Sequence, residues 1–88
     1  MLVISWDEPK RLKTLRDRGL DFGDLDEAFF QASLIIPAKQ GRWMAIGSFL
    51  DGVIAVVFVE LGTEGISVIS MRPASQKERK WYEEAQIS

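Results

Sequence analysis

The longest apolar stretch of the chain decides the fold. An Asp-Gly pair precedes it, and the stretch reads Asp51-Gly52-Val53-Ile54-Ala55-Val56-Val57-Phe58-Val59. Every position after the glycine is apolar and most are β-branched, which predicts a central strand covered on both faces. Because Asp-Gly lies between this strand, residues 53–61, and a second strand-like run, residues 42–49, we also predict a hairpin.

Shorter elements surround this hairpin. Further strands are expected at residues 2–6, 33–36 and 66–71, and helices at residues 9–18, from residue 21 onward, and at residues 75–85. The first helix is predicted to turn Leu12 and Leu15 inward. The order β-α-α-β-β-β-β-α predicts one α+β domain over residues 1–88, with a mostly antiparallel sheet packed by helices.

Composition excludes several kinds of site. The 88 residues leave room for a single small core and include neither cysteine nor histidine. Disulfides, thiolate or imidazole metal sites, and Ser-His-Asp or Cys-His nucleophiles are therefore excluded. We expect no metal and no cofactor, and any chemistry must use Arg, Lys, Tyr, Ser, Asp or Glu.

The charges are unevenly distributed. The net charge is −2, which argues against a polyanionic partner, but residues 10–18 hold five bases against one acid, and residues 72–80 hold four against one. We predict that these two basic stretches meet over the sheet and form one basic surface.

No targeting or membrane segment is apparent in the sequence. The apolar run at residues 1–6 is too short for a signal peptide, and residues 53–59 fall far below the roughly 20 residues of a membrane span. We therefore expect a cytoplasmic protein that does not contact a membrane.

Several stretches resemble one known family, the BrnT toxins of type II toxin–antitoxin systems. Residues 6–10 and 18–22 resemble its W-D-x-x-K start and K-H-G-x-x-F turn, and residues 42–47 resemble its R-x-x-A-I-G strand. Residues 68–74 and 78–83 resemble its I-I-S-A-R-x-A and E-R-x-x-Y ending. The match covers nearly the whole chain in the correct order.

The resemblance implies a RelE-like fold and a metal-independent ribonuclease that inhibits growth. It also implies neutralisation by a BrnA-type antitoxin with a DNA-binding domain, through which alone the complex would reach operator DNA. A homodimer and a toxin–antitoxin hetero-oligomer are both compatible with it.

Four residues near the C-terminus are candidates for cleaving RNA, in which the 2′-OH attacks the adjacent phosphate. Arg72 is predicted to hold the scissile phosphate, because a guanidinium matches phosphate oxygens bidentately. Arg79 would neutralise developing charge, and Tyr82 or Glu78 would move a proton. The alternatives are an Arg79–Glu83 ion pair with Tyr82 half-buried, and a capping box in which Glu78 pairs with Ser75.

Three further basic residues are candidates for binding the RNA backbone. Lys10 and Lys13 lie on the first helix, and Arg42 begins a strand. A solvated basic face is the alternative for the lysines. Trp43 and Trp81 are interpreted as core or antitoxin-contact residues in preference to base-stacking platforms.

Departures from the family pattern leave other functions open. The family's histidine is replaced by Arg18, and an arginine of its last strand by Ser67. The chain could therefore be a weakened or inactive homologue that serves as an antitoxin-binding module. A plain single-strand RNA binder without cleavage is a third hypothesis.

Overall fold

The computed structural model describes residues 1–87 and contains five strands and three helices. In chain order these are β1 Val3–Trp6, α1 Glu8–Arg18, α2 Glu27–Ala32, β2 Leu34–Pro37, β3 Trp43–Phe49, β4 Gly52–Leu61, β5 Gly65–Pro73 and α3 Gln76–Ile87. Single 3-10 turns lie at Phe22–Asp24 and Lys39–Gly41. The predicted α+β class and element order are confirmed.

The five strands form one mixed sheet with β4 at its centre. The strand order is β1-β5-β4-β3-β2, and β1 with β5 is the parallel pair while the other three pairs are antiparallel. Ala55 and Val56 point to opposite faces of β4 and both are fully buried. The prediction that β4 is covered on both faces is therefore confirmed. The predicted hairpin is also present, with Phe49 paired to Gly52 across a two-residue loop.

Each face of the sheet packs against a different part of the chain. On one face, here called the core face, aromatic side chains from the α1–α2 connection and α2 cover the apolar side chains of β4. This cluster includes Phe22, Leu25, Phe29, Ile54, Val56 and Phe58. The opposite face, here called the α3 face, carries Ala55 and its β3 partner Ile46, and α3 contacts β3 there. Among residues 1–87, no helix is long and apolar enough to cross a bilayer.

The position of α1 corrects one prediction. Leu12 and Leu15 do not face inward: they are 53% and 39% exposed, and the helix has no buried residue. The reason is that β1 ends at Trp6, so α1 runs past it along the C-terminal half of β5 at the sheet edge. Polar contacts, rather than a leucine stripe, attach the helix to the rest of the protein.

The second helix also differs from its prediction. The stretch from residue 21 does not form a continuous helix, because two aspartates cap two separate short elements. Asp21 accepts a hydrogen bond from the Gly23 amide and begins the 3-10 turn, whereas Asp26 accepts one from the Phe29 amide and begins α2. This break turns Phe22 into the core, where it is fully buried.

Gly47 in β3 provides a test of this packing. A Cβ at this position would overlap the Ser33 hydroxyl and lie 3.0 Å from Cε1 of Phe29. Ser33 is held by a 2.6 Å hydrogen bond to the Phe29 carbonyl, so it cannot easily move away. Gly47→Ala should therefore lower the free energy of unfolding by about 1–3 kcal/mol.

The measurement is urea denaturation of Gly47→Ala beside Gly52→Ala. A Cβ at Gly52 meets nothing within 4 Å, so this control should change the free energy of unfolding by less than about 0.5 kcal/mol. Equal midpoints for the two variants would show that α2 does not press against β3 as described.

Candidate nucleic-acid interface

Arg72 and Glu78 form a bidentate ion pair where β5 meets α3. Nη1 and Nη2 of Arg72 donate to Oε1 and Oε2 of Glu78 at 2.7 and 2.8 Å. Arg72 lies at the end of β5 and Glu78 in the first turn of α3. The pair therefore joins the strand to the helix and holds the guanidinium plane in one orientation.

Glu78 also completes the predicted capping box. Its Oε1 accepts from the Ser75 amide at 2.8 Å, while its own amide donates to the Ser75 hydroxyl at 3.2 Å. The hydrogen bonds from Arg72, and secondarily those from Ser75, lower the pKa of Glu78 to about 2, although burial opposes the shift. A buried carboxylate with this pKa stays ionised at neutral pH and is a weak proton acceptor. These contacts favour a role in positioning Arg72.

The contacts of Arg72 leave one edge of its guanidinium open. Nη1 also donates to the Pro73 carbonyl at 3.3 Å, so the Nη1–Nη2 end of the fork is fully engaged. The Nε–H and the outer Nη2–H share the remaining edge, which makes no hydrogen bond within residues 1–87. The side chain is 34% exposed. This edge has the geometry that receives two phosphate oxygens.

The other α3 candidates, Arg79 and Tyr82, lie to one side of Glu78 around the helix axis. At about 100° per residue, Arg79 and Trp81 fall on opposite sides of Glu78 around the helix axis. Trp81 borders an apolar groove with Leu34 of β2. Arg79 is exposed on the other side of α3, where it lines a groove of about 620 Å³ with Lys80 and Glu83.

The environments of Arg79 and Tyr82 bear on their predicted roles. Tyr82, one turn after Glu78, is half-buried, whereas Arg79 is exposed. The structure forms neither an Arg79–Glu83 ion pair nor a Tyr82 hydrogen bond within residues 1–87. Both side chains keep donors for a ligand.

Lys10 and Lys13 line a groove of about 180 Å³ between α1 and β5. Its strand wall includes Ser70, which shares a sheet face with Arg72 because both pair with β4 residues two apart. The groove brings Lys10 and Lys13 to β5, but its lining includes no residue of the second basic stretch, residues 72–80. Lys13 bonds Asp17 at 3.2 Å, whereas Lys10 makes no ion pair within the described chain.

Arg42 lies at the far end of the sheet from Arg72. Arg42 directly precedes Trp43, the first residue of β3. Arg72 of β5 lies across β4 from Ile46, because both residues pair with Ala55. The separation is about 13 Å along the strands and about 10 Å across them. The structure therefore does not bring Arg42 to the phosphate edge of Arg72.

The tryptophans differ in their environments. Trp43 packs against the core cluster, in agreement with its interpretation as a core residue. Trp81 is 39% exposed, and the Lys77 ammonium lies 5.3 Å from its ring centroid. Neither ring lies beside the guanidinium of Arg72 in the described contacts.

Two arginines in α1 have roles that the sequence analysis missed. Arg11 bonds both carboxylate oxygens of Asp21 at 2.9 and 3.0 Å, which attaches α1 to the 3-10 turn. Arg18 donates from Nη1 to the Met71 carbonyl at 3.0 Å, one residue before Arg72. Nothing in the amino-acid sequence distinguishes these two arginines from the other basic residues of the stretch 10–18.

Of the remaining grooves, the one on α3 is lined by Lys77, Arg79 and Lys80 together with Gln76 and Glu83. The grooves of the core face suit a polyanion poorly. Two adjoining grooves on the core face, of about 320 and 270 Å³, share Ile35, Phe58 and Ile66, and their charged lining residues are Glu27 and Glu60. Residues 1–87 contain no group of three or more acidic side chains placed to hold a metal ion. The basic α3 face is the candidate nucleic-acid interface.

Grooves lined by lysine and arginine side chains on a small α+β domain fit the class of proteins that bind nucleic acids. The profile of the family described as "Ribonuclease toxin, BrnT, of type II toxin-antitoxin system" matches residues 6–78. The chain therefore belongs to the BrnT family of ribonuclease toxins.

A solved structure agrees with this assignment. The crystal structure of the Brucella abortus ribonuclease toxin BrnT is 49% identical in sequence and superposes with a TM-score of 0.79. The match covers 86% of this chain and all of that one. No curated protein matches the chain.

The Arg72–Glu78 pair predicts a pH-dependent stability. Because the pKa of Glu78 in the folded protein lies below its ordinary value of 4.5, the pair stabilises the fold fully above about pH 4.5, and the effect is lost as the pH falls toward 2. Glu78→Gln keeps a side chain that can complete the capping box but removes the ion pair. It should cost about 3 kcal/mol at pH 7.

Urea denaturation of both proteins at pH 7, 4 and 2.5 measures this difference, which should shrink steadily as the pH falls. Glu60→Gln, which changes an exposed glutamate of β4, serves as the control and should follow the wild type at every pH. A constant gap between wild type and Glu78→Gln would contradict the proposed protonation of Glu78.

Proposed function

We propose that this protein is a metal-independent endoribonuclease that cleaves single-stranded RNA on the α3 face. The observation that carries the proposal is the open Nε–Nη2 edge of Arg72, which Glu78 orients two residues along β5 from Ser70, in the groove lined by Lys10 and Lys13. In the reaction the ribose 2′-oxygen forms a bond to the adjacent phosphorus, and the bond to the 5′-oxygen breaks. The products are a 2′,3′-cyclic phosphate and a 5′-hydroxyl.

The candidate residues divide this work among them. Arg72 holds the non-bridging oxygens of the scissile phosphate, and Arg79 neutralises the charge that develops on the phosphorane. Tyr82 gives a proton to the leaving 5′-oxygen, while the 2′-hydroxyl proton passes to water. We assign Glu78 to holding Arg72, because its low pKa makes it a poor base.

Substrate binding is proposed to extend along the sheet. Lys10 and Lys13 guide the RNA backbone beside β5. Arg42, distant from Arg72, would contact a nucleotide farther along the strand rather than the scissile phosphate.

Family membership supports the remaining parts of the proposal. A BrnA-type antitoxin with a DNA-binding domain neutralises the toxin in the cytoplasm, and the complex reaches operator DNA only through the antitoxin. Residues 1–88 form one toxin domain that assembles either as a homodimer or as a toxin–antitoxin hetero-oligomer. Independence of metal is part of the proposal, in which the reaction uses only arginine, lysine and tyrosine side chains and the ribose 2′-hydroxyl.

The second candidate function is an inactive homologue that binds the antitoxin. It is favoured by Arg18 and Ser67, which stand where the family pattern has histidine and arginine. Ser67 lies on β5 in register with Val59 and Ser5, so a substituted arginine would project on the α3 face. Toxicity that appears only after Arg18→His and Ser67→Arg are combined would support this candidate.

Arg72→Lys tests the nuclease directly. Lysine keeps the charge but lacks the planar fork, so cleavage of a fluorogenic oligoribonucleotide should fall about 100-fold, the usual effect of losing a donor that stabilises a transition state. Arg16→Lys is the matched control: Arg16 is 73% exposed and its one ion pair within residues 1–87 is with Asp17, so the variant should cleave at the wild-type rate.

Two further observations complete the test. Chelation by EDTA should not change the wild-type rate, and a substrate with 2′-O-methyl riboses should stay intact. Wild-type protein that leaves RNA whole in vitro, and does not slow bacterial growth when expressed alone, would overturn the nuclease function in favour of the binding module.

A further inference from the structure

Arg18 carries a positive charge that no ion pair within residues 1–87 neutralises, although Asp17 also lines its groove. Its Nη1 donates to the Met71 carbonyl at 3.0 Å, and no carboxylate within residues 1–87 forms an ion pair with it. The adjacent Asp17 is already bound by Lys13 and Arg16, each at 3.2 Å. Four of the five N–H donors of Arg18 therefore have no acceptor among the described residues.

The contact with Met71 fixes where this charge lies. The helix ends at Gly19, which adopts a left-handed conformation, so Arg18 belongs to the last turn of α1. Its guanidinium reaches the edge of β5 one residue before Arg72 and lines the same groove as Lys10 and Ser70. A carbonyl contact orients a guanidinium without cancelling its charge.

The spacing along β5 suits consecutive phosphates. Ser70 and Arg72 point to the same face and lie about 7 Å apart. Consecutive phosphorus atoms of a strand are joined by six backbone bonds, so in an extended strand they lie about as far apart as two residues along a β-strand. A strand with one phosphate on Arg72 thus brings a neighbouring phosphate to the groove that Arg18 borders.

We propose that Arg18, with Lys10 and Lys13, forms a second phosphate subsite, so that the cleft holds two successive phosphates of one strand. This inference rests on the proposed binding of RNA to the α3 face. It adds the number of phosphates that the cleft binds and their positions along the strand of RNA. The subsite would make the enzyme prefer substrates with a phosphate next to the scissile one.

Two short probes test the subsite without any cleavage. A 2′-O-methyl dinucleoside monophosphate offers one phosphate, and the corresponding trinucleoside diphosphate offers two. NMR titration of the wild type should give a Kd about tenfold lower for the two-phosphate probe. Arg18→Gln keeps a donor for the Met71 carbonyl but removes the charge. It should lower this ratio toward the factor of about two that two equivalent registers alone provide, with Lys10 and Lys13 accounting for what remains above it.

The control variants separate charge from structure. Arg16→Gln removes the same charge from the same helix at an exposed position and should keep the wild-type ratio. Arg18→Lys should recover part of it, which a purely structural role for the Met71 hydrogen bond would not predict. A ratio near two in the wild type, or equal ratios for Arg18→Gln and Arg16→Gln, would overturn the subsite.

Cleavage of unmodified RNA is measured separately. If the wild type shows the tenfold ratio but does not cleave, the subsite stands and the nuclease function fails. If it cleaves while Arg18→Gln behaves like Arg16→Gln, the nuclease function stands and the subsite fails.

Discussion

The ion pair between Arg72 and Glu78 is the interaction on which the rest of the site depends. One carboxylate accepts from both ends of the Arg72 fork and from the amide that begins α3. The two carboxylate oxygens of Glu78 thus join the end of β5 to the start of α3 and also orient the guanidinium of Arg72. Because Glu78 is buried, losing any of these donors would leave a charge poorly compensated.

Such a pair contributes more to geometry than to net stability. Desolvating two charges offsets much of their attraction, so a hydrophobic pair of similar volume could hold α3 equally well. Only the ion pair holds an arginine with one edge engaged and the other open. That arrangement orients donors before the substrate arrives, which is the main requirement for stabilising a transition state by electrostatics.

Local signals predicted much of the fold and part of the site. The apolar run of β4 and the Ser75–Glu78 box were sufficient because both depend on neighbours in sequence. The orientation of α1 could not be predicted in this way: its leucine spacing indicates an inward stripe, but the end of β1 at Trp6 places the helix at the sheet edge. Arg18 was missed for a related reason, since its partner is a backbone carbonyl 53 residues away.

Net charge was the least informative property of this sequence, and the structure explains why. Two of the acids near the basic helix are consumed locally: Asp21 by Arg11, and Asp17 by Lys13 and Arg16. Glu27 and Glu60 border the apolar grooves of the opposite face. The field that a strand of RNA meets is set by cations within about one Debye length, about 8–10 Å, and screening weakens the contribution of the distant carboxylates. A protein with a total charge of −2 can therefore present a cationic cleft. Its affinity for RNA should depend on the lysine and arginine side chains of the α3 face that form no ion pair, rather than on the isoelectric point.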